Sequence, residues 1–535
     1  MLTDGIMWIW YYDRQGIIQS TGIGVFVDFP RFVLLLFALQ RFSAEDWGII
    51  REFNPKAMHE HDKSPFLPKK EPKEEPKESR KGKKKDVPEN PAEPEPVVVV
   101  PNPVVKFGNS LDHMKDFTEF WKARDDKGVV KLSEAELNMD QFLSNQPHCL
   151  AGRATAVVPA TGRSEDGTAE MKMVCKVYHP EVQRRHEGLT MQVIYKIVEK
   201  EDPASEMLKF FPKFYFHGDV KGTTTHRVRS MLHCEWKGHR TMRIIGMKRL
   251  HKVTSVSGWE FVKAWLEGVT CKLELKHLID LDLTIAPGHA FLWKNFVEHG
   301  DPSVGNLMYD PENKHGVLTD FDLSLLQWEP RVFGTDRTGT VPFMALELST
   351  REYWDGKIKR YYHHELESFI WILPYVFLLY KNRVRQRGTL VDSWRTSNYD
   401  TCRKEKREFY SCLAEVKKGV QDDFKDCWSL ADGLCDALRN HHNEIQNRLR
   451  AARKRVAVDQ SKPDCIPNSE GLWMRVLKEL QETLSPDFAT LLNCLKNCKP
   501  SFAEPTDDMK EEFQGRYRSI LDPQERQPAV NSTER

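Results

Sequence analysis

The chain has 535 residues, 40% hydrophobic, 29% charged and 10% aromatic, a balance that fits a globular protein with a sizeable core and excludes collagen, coiled-coil and repeat-array classes. Its 79 Lys and Arg stand against 78 Asp and Glu, so no global field draws it to nucleic acid or to a membrane, and partners have to be read from local sites. Eleven Cys without paired C-x-x-C spacing, and no visible secretory signal, point to reduced thiols in the cytosol or nucleus.

Taken in chain order, residues 1–54 form a small accessory segment: MWIWYYDRQGIIQS reads as a hairpin strand and PRFVLLLFALQRF as a helix, too little to make a core alone. Residues 55–105, with ten of the thirty prolines between Pro65 and Pro103 among Lys and Glu runs, are expected to be a disordered insert. RKGKKK in this stretch reads as a solvated linker charge run before it reads as a nuclear import signal. From residue 106 the pattern is strand-rich, with strands over MKMVCKVYH at 171–179 and around 214–250, interrupted by a helix over RRHEGLTMQVIYKIVEK at 184–200. From 251 to 495 it is largely helical, with GWEFVKAWLEGVTCKL, HLIDLDL, HAFLWKNF and HELESFIWILPYVFLLY.

The apolar runs Phe32 to Leu39 and Phe369 to Tyr380 are shorter than the roughly 20 residues that cross a bilayer and read as buried core. Cys494 and Cys498 share a helix face but lack further ligands at zinc spacing, and the basic NRLRAARKRVAV reads as a solvated helix rather than a nucleic-acid contact. Residues 496–535 read as a loose tail. The whole predicts an α+β, two-lobe arrangement: a strand-rich lobe and hinge over 106–250, a helical lobe over 251–495, and a cleft between them.

The stretch HGDPSVGNLMYDPENKHGVLTDFDLS, residues 299–324, carries the chemistry. Asp301 lies five residues before Asn306, and Asp320 fourteen after it, with LMYD and GVLTDF placed to form a hairpin that returns Asp320 beside Asn306. Phosphoryl transfer needs a carboxylate to orient the attacking hydroxyl, here Asp301, and hard oxygen ligands for magnesium, here Asn306 and Asp320. This H-x-D-x-x-x-x-N followed by D-F-x resembles the catalytic and magnesium loops of protein kinases. Upstream, Lys176 in MVCKV sits like the Lys that holds the α and β phosphates, Glu187 is placed to pair with it, and GRATAV offers Gly152 and Val157 as a phosphate-covering loop with a single glycine. Alone, a strand Lys is a solvent-facing residue and Glu187 a plain surface residue. Downstream, RTGTVPFMALEL resembles the end of an activation segment, with Glu347 tying it down and Thr340, Pro342 and Met344 shaping a peptide-binding floor.

Together with MWIWYYDRQGIIQS, PRFVLLLFALQRF, GTVPFMALEL and HELESFIWIL, these motifs resemble the fungal-type protein kinase domain family expanded in mushroom-forming fungi, over most of residues 1–380. The resemblance implies a bilobal kinase fold, ATP and Mg2+ as cofactors, a protein substrate phosphorylated on a hydroxyl, Ser or Thr first, and an N-terminus that starts inside its motif, as in a truncated product. The chain departs from the common kinase pattern at four positions. Gly300 stands for the Arg after the loop His, Ser303 for a Lys, Asp322 for the Gly of D-F-G, and Glu365 for an Asp that would brace the catalytic loop. Gly300 and Asp322 also suit a small-molecule phosphotransferase of the aminoglycoside or choline kinase type, against which RTGTVPFMALEL speaks, and the poor glycine loop suits a catalytically silent scaffold. His299 reads as a packed core histidine beside Phe321.

Overall fold

A computed structural model describes residues 2–3, 5–42, 50, 102–124, 128–145, 152–201, 206–234, 238–269, 288–329, 339–455, 469–484 and 504–521. The bulk of the Pro/Lys/Glu segment, HLIDLDL, Cys494 and Cys498 lie outside them. The chain divides into two compact units, residues 1–182 with 214–247, and residues 183–213 with 248–535.

The first unit is built on an eight-stranded antiparallel sheet. Its order is Val104–Lys106, Glu134–Leu137, Ala156–Arg163, Glu170–Tyr178, Arg243–Met247, Phe214–Val220 and Leu111–Asp116, with Ser144–Asn145 paired to Ala156–Arg163. In Ala156–Arg163 inward and outward residues alternate, whereas Met173 to Tyr178 are buried in succession, the pattern of a strand covered on both faces. The strand Val104–Lys106 corrects the C-terminal end of the insert expected over residues 55–105. Val105 is fully buried against Ala135, and such β-branched pairing outweighs the proline-rich context.

MWIWYYDRQGIIQS does form a hairpin, Trp10–Asp13 with Gly16–Gln19. It groups with the first unit. Arg229 donates from Nε and Nη2 to the two Asp13 carboxylate oxygens at 2.8 and 2.7 Å, and the Thr225 hydroxyl donates to Gln15 Oε1 at 2.9 Å, so borrowed contacts supply what the segment cannot bury itself. The helix Phe29–Leu39 overturns the expectation that Phe32 to Leu39 is core: none of its residues is buried, and Leu34 is 69% exposed. Hydropathy sets what a helix would prefer to bury, but a packed partner has to exist.

The second unit is mainly helical. Its axis is Tyr362–Leu379, where every residue is buried, as the apolar run predicted, and Pro374 lies inside the helix. Trp265 Nε1 donates to the Phe369 carbonyl at 2.9 Å, Trp371 meets Trp394 edge-on at 5.3 Å, and each such buried side chain contributes about 1.5–3 kcal/mol relative to exposure. Helix Gly258–Val269 presses on the hairpin Leu307–Asp310 and His315–Leu318, so closely that a Cβ on Gly316 would lie 2.0 Å from the Ala264 carbonyl oxygen. Helices Trp428–Arg455 and Ser469–Thr483 pack together behind it. No helix among the described residues is long and apolar enough to cross a membrane.

Two boundaries differ from expectation. Residues 183–213, including helix Glu187–Glu201, group with the second unit rather than with the strand-rich region. In the expected tail, Asp507–Leu521 is a helix with Tyr517 buried, because Met509, Phe513 and Tyr517 recur every four residues and give one apolar stripe among charged neighbours.

Candidate active site

The hairpin Leu307–Asp310 and His315–Leu318 puts Asn306 opposite Thr319, and the tie is double: the Thr319 N–H and hydroxyl donate to the Asn306 carbonyl at 2.8 and 3.0 Å. Asp320 is the next residue. It holds a left-handed backbone, φ 64°, a conformation that a non-glycine residue keeps only where its surroundings fix it. Here the Phe321 N–H donates to Glu187 Oε1 at 2.9 Å, and His299 Nε2–H donates to the Thr319 carbonyl at 2.9 Å. His299 lies edge-on to Phe321 at 4.8 Å and accepts the Asp301 N–H on Nδ1; burial pushes its pKa down to about 4, so it is the neutral packing residue expected.

Asp301 is gripped from two sides. Its Oδ1 accepts the Thr340 N–H at 2.7 Å and its Oδ2 the Thr340 hydroxyl at 3.0 Å, while Asn306 Nδ2 donates to the Asp301 carbonyl at 2.8 Å and to Oδ2 at 3.3 Å. With its NH2 committed to Asp301, the Asn306 amide leaves its carbonyl oxygen as the atom that could meet a cation, and Asp320 follows directly on Thr319, the residue tied to Asn306; amide and carboxylate oxygens are the hard donors that magnesium takes. Ser303 is buried and its Oγ accepts the Asn306 N–H at 3.3 Å, so this position serves the loop turn and has no room for a Lys.

The loop backbone is braced from behind by Glu365, despite the extra methylene. Its Oε1 accepts the Gly300 N–H at 2.7 Å and its Oε2 the His299 N–H at 3.2 Å, with His289 Nε2 on Oε2 at 2.6 Å and Arg360 Nη1 on Oε1 at 3.4 Å. Burial alone would raise the Glu365 pKa, but the His289 hydrogen bond, with Arg360 and His299 nearby, holds it down at about 2. Arg360 also donates to the Gly300 carbonyl. Its own proton is held more tightly than usual: burial opposes the charge, but Tyr353 and Glu365 outweigh it. Sequence reading missed Arg360, a charge just before the apolar helix Tyr362–Leu379, and His289, whose partner Glu365 lies 76 residues away.

Gly300 is a steric requirement. At φ 90° a Cβ there would sit 2.3 Å from the Leu323 carbonyl oxygen. Gly300→Ala is expected to destabilise the protein by about 1–3 kcal/mol and to displace Asp301, read as a lower melting temperature together with lost phosphotransfer. An unchanged melting temperature would refute the clash.

The segment after Thr340 is anchored both through its backbone and through Glu347. Leu346 N–H donates to Glu367 Oε1 at 2.8 Å, and the buried Lys406 donates to the Met344 carbonyl at 2.8 Å. Glu347 Oε2 contacts His364 Nε2 at 2.9 Å and His363 Nε2 at 3.3 Å, bringing three possible ligand atoms within 4.8 Å of one another. The Tyr361 N–H donates to His364 Nδ1, so His364 Nε2 carries the proton and donates to Glu347. The cluster is therefore a hydrogen-bonded tie rather than a metal centre. Burial opposes ionisation of Glu347, yet the two His hydrogen bonds hold its pKa well below the carboxylate range.

The nucleotide candidates divide between the units. Glu187, buried at the start of its helix, shares the second unit with Asp301, Asn306 and Asp320. Lys176 and Val157 lie in the first unit as direct partners across two antiparallel strands; Lys176 is 5% exposed with its Nζ 4.7 Å from the Tyr178 ring centroid, not the solvent-facing Lys of an ordinary strand. Gly152 stands apart at a bend, φ 100°, and its N–H donates to the Arg14 carbonyl at 2.8 Å.

No curated protein matches this chain. Among solved structures it is similar to the Cydia pomonella granulovirus kinase PK-1, at 14% identity and a TM-score of 0.25, over 47% of this chain and 70% of that one. Residues 275–377 match the family model described as fungal protein kinase. That span holds Asp301, Asn306, Asp320, Glu347 and Glu365, and supports a kinase-like, phosphotransferase function. The region 275–377, with the motifs it contains, is thus similar to the fungal protein kinase family.

Proposed function

We propose that the chain is an ATP- and Mg2+-dependent protein kinase that transfers the γ-phosphoryl group to a protein hydroxyl, of Ser or Thr. The observation that carries this reading is the grip on Asp301 by Thr340 from one side and Asn306 from the other. Asp301 would orient the acceptor hydroxyl and take its proton as the new O–P bond forms and the bond from the γ-phosphorus to the bridging oxygen breaks, releasing ADP. Asn306 and Asp320 would hold magnesium, which when bound neutralises phosphate charge. Lys176 paired with Glu187 would hold the α and β phosphates, Val157 would cover the nucleotide, and the backbone around Gly152 would close over it. Thr340 favours a protein acceptor over a small molecule, because the segment from Thr340 to Leu348 is anchored beside the catalytic carboxylate.

The scaffold reading has one observation behind it, the commitment of the Gly152 N–H to Arg14. Thermal shift with millimolar ATP and Mg2+ separates the two: stabilisation supports the kinase, and no shift supports the scaffold. Labelled ATP offered with a peptide library, aminoglycosides and choline tests the acceptor; label on peptide is the expected result, and label only on the small molecules would overturn the protein assignment.

A further inference from the structure

We propose that helix Asp507–Leu521 is a positioning element for the phosphotransfer site, in which Phe513 and Tyr517 fix the Glu187 helix and the segment after Asp320 through Trp328. This rests on the kinase reading above for its consequence, but its geometry lies wholly within the second unit. Trp328, eight residues beyond Asp320, is 1% exposed. Phe513 stacks on it at 4.7 Å and 19°, Tyr517 at 5.9 Å and 28°, and Gln514 Nε2 donates to its carbonyl at 2.8 Å.

Phe513 also meets a second element. Phe296, three residues before His299, meets it in a T-shaped contact at 5.7 Å, and Val297–Glu298 pairs with Leu325–Leu326, which ends two residues before Trp328. One side chain thus touches both the entry to the catalytic loop and the exit from the Asp320 segment. The third element is the Glu187 helix itself. Helix Asp507–Leu521 packs against it, and burial with Glu201 nearby raises the Tyr517 pKa in spite of Arg516. At its other end the Glu187 helix is tied to the same segment by the Arg185–Glu329 ion pair and the Phe321 to Glu187 hydrogen bond.

The three pieces that carry Glu187, Asp301 and Asp320 therefore all pack against one helix seated on Trp328, and that helix contributes none of those residues. A helix so placed biases the position of Glu187 by occupying or leaving that seat, which makes it a means of control by anything that competes for its apolar stripe.

The test compares the full-length chain with Phe513→Ala, the milder Phe513→Leu, the conservative Phe513→Tyr, and Leu477→Ala as a core truncation in helix Ser469–Thr483. Amide hydrogen exchange over 187–201 and 321–329 is measured together with kcat and KM for ATP. Phe513→Ala is expected to speed exchange in both segments and to lower kcat/KM for ATP, each by about tenfold. Phe513→Leu should give a smaller change in the same direction, Phe513→Tyr should restore the parent values, and Leu477→Ala should lower the melting temperature without moving either readout. Exchange in Phe513→Ala equal to the parent, or faster exchange matched by Leu477→Ala, would overturn the proposal. If Phe513→Ala does not fold, Phe513→Leu decides on the same criteria. A parent chain with no phosphotransfer would refute the kinase reading alone, since the exchange data still decide whether the helix positions the Glu187 segment.

Discussion

Asp301→Asn is expected to lower phosphoryl transfer by about 10²- to 10⁴-fold while leaving ATP binding intact, the effect of removing a positioned general base. Asparagine keeps the shape and one acceptor oxygen, so the Thr340 N–H keeps a partner and the loop should stay in place. What is lost is the second carboxylate oxygen, the negative charge that draws the hydroxyl proton, and the site's ability to accept that proton. Asp320→Asn should behave differently. It removes charge from the cation donor set, so the Mg2+-dependent part of ATP binding should fall along with turnover. Nucleotide titration by thermal shift, with and without Mg2+, alongside a phosphotransfer assay, separates the two variants. Retention of parental activity by both would remove the role assignments.

Glu365→Gln should be among the most destabilising single changes in the second unit, by about 3–5 kcal/mol, because it leaves the buried Arg360 without its carboxylate. The Gly300 and His299 N–H groups would also compete for one oxygen, so the loop that carries Asp301 loosens as the unit weakens. The parent protein carries the same dependence on pH. The Glu365 pKa is depressed from its ordinary value of 4.5 to about 2, so its stabilisation is fully present above pH 4.5 and is lost as pH falls towards 2, a change of roughly 3 kcal/mol. Urea unfolding midpoints across that range should fall more steeply for the parent than for Glu365→Gln. Parallel slopes would show that Glu365 is not the titrating group.

The stretch 299–324 was legible because its chemistry is local. Asp301, Asn306 and Asp320 lie within twenty residues, and the hairpin that joins them is set by two short apolar strands around a turn. Strand Glu170–Tyr178 and the axial helix Tyr362–Leu379 were legible for a similar reason, since an apolar period over many residues leaves few alternatives. The apolar stripe of Asp507–Leu521 was also present in the sequence, but its strong charge obscured it.

The amino-acid order alone determined the residue types, their spacing and the phosphotransfer chemistry they can support. Tertiary structure decided which backbone each carboxylate would brace: Glu365 reaches back 65 residues to Gly300, Arg360 reaches back 60, and Thr340 reaches back 39 to Asp301. It also decided that the apolar helix Phe29–Leu39 stays exposed while the charged helix Asp507–Leu521 buries Tyr517. The physical reason is the same in each case. Propensity and pattern act over a few residues, whereas burial and buried hydrogen bonds depend on which distant surface happens to lie within 3 or 4 Å, as a contact or hydrogen bond requires.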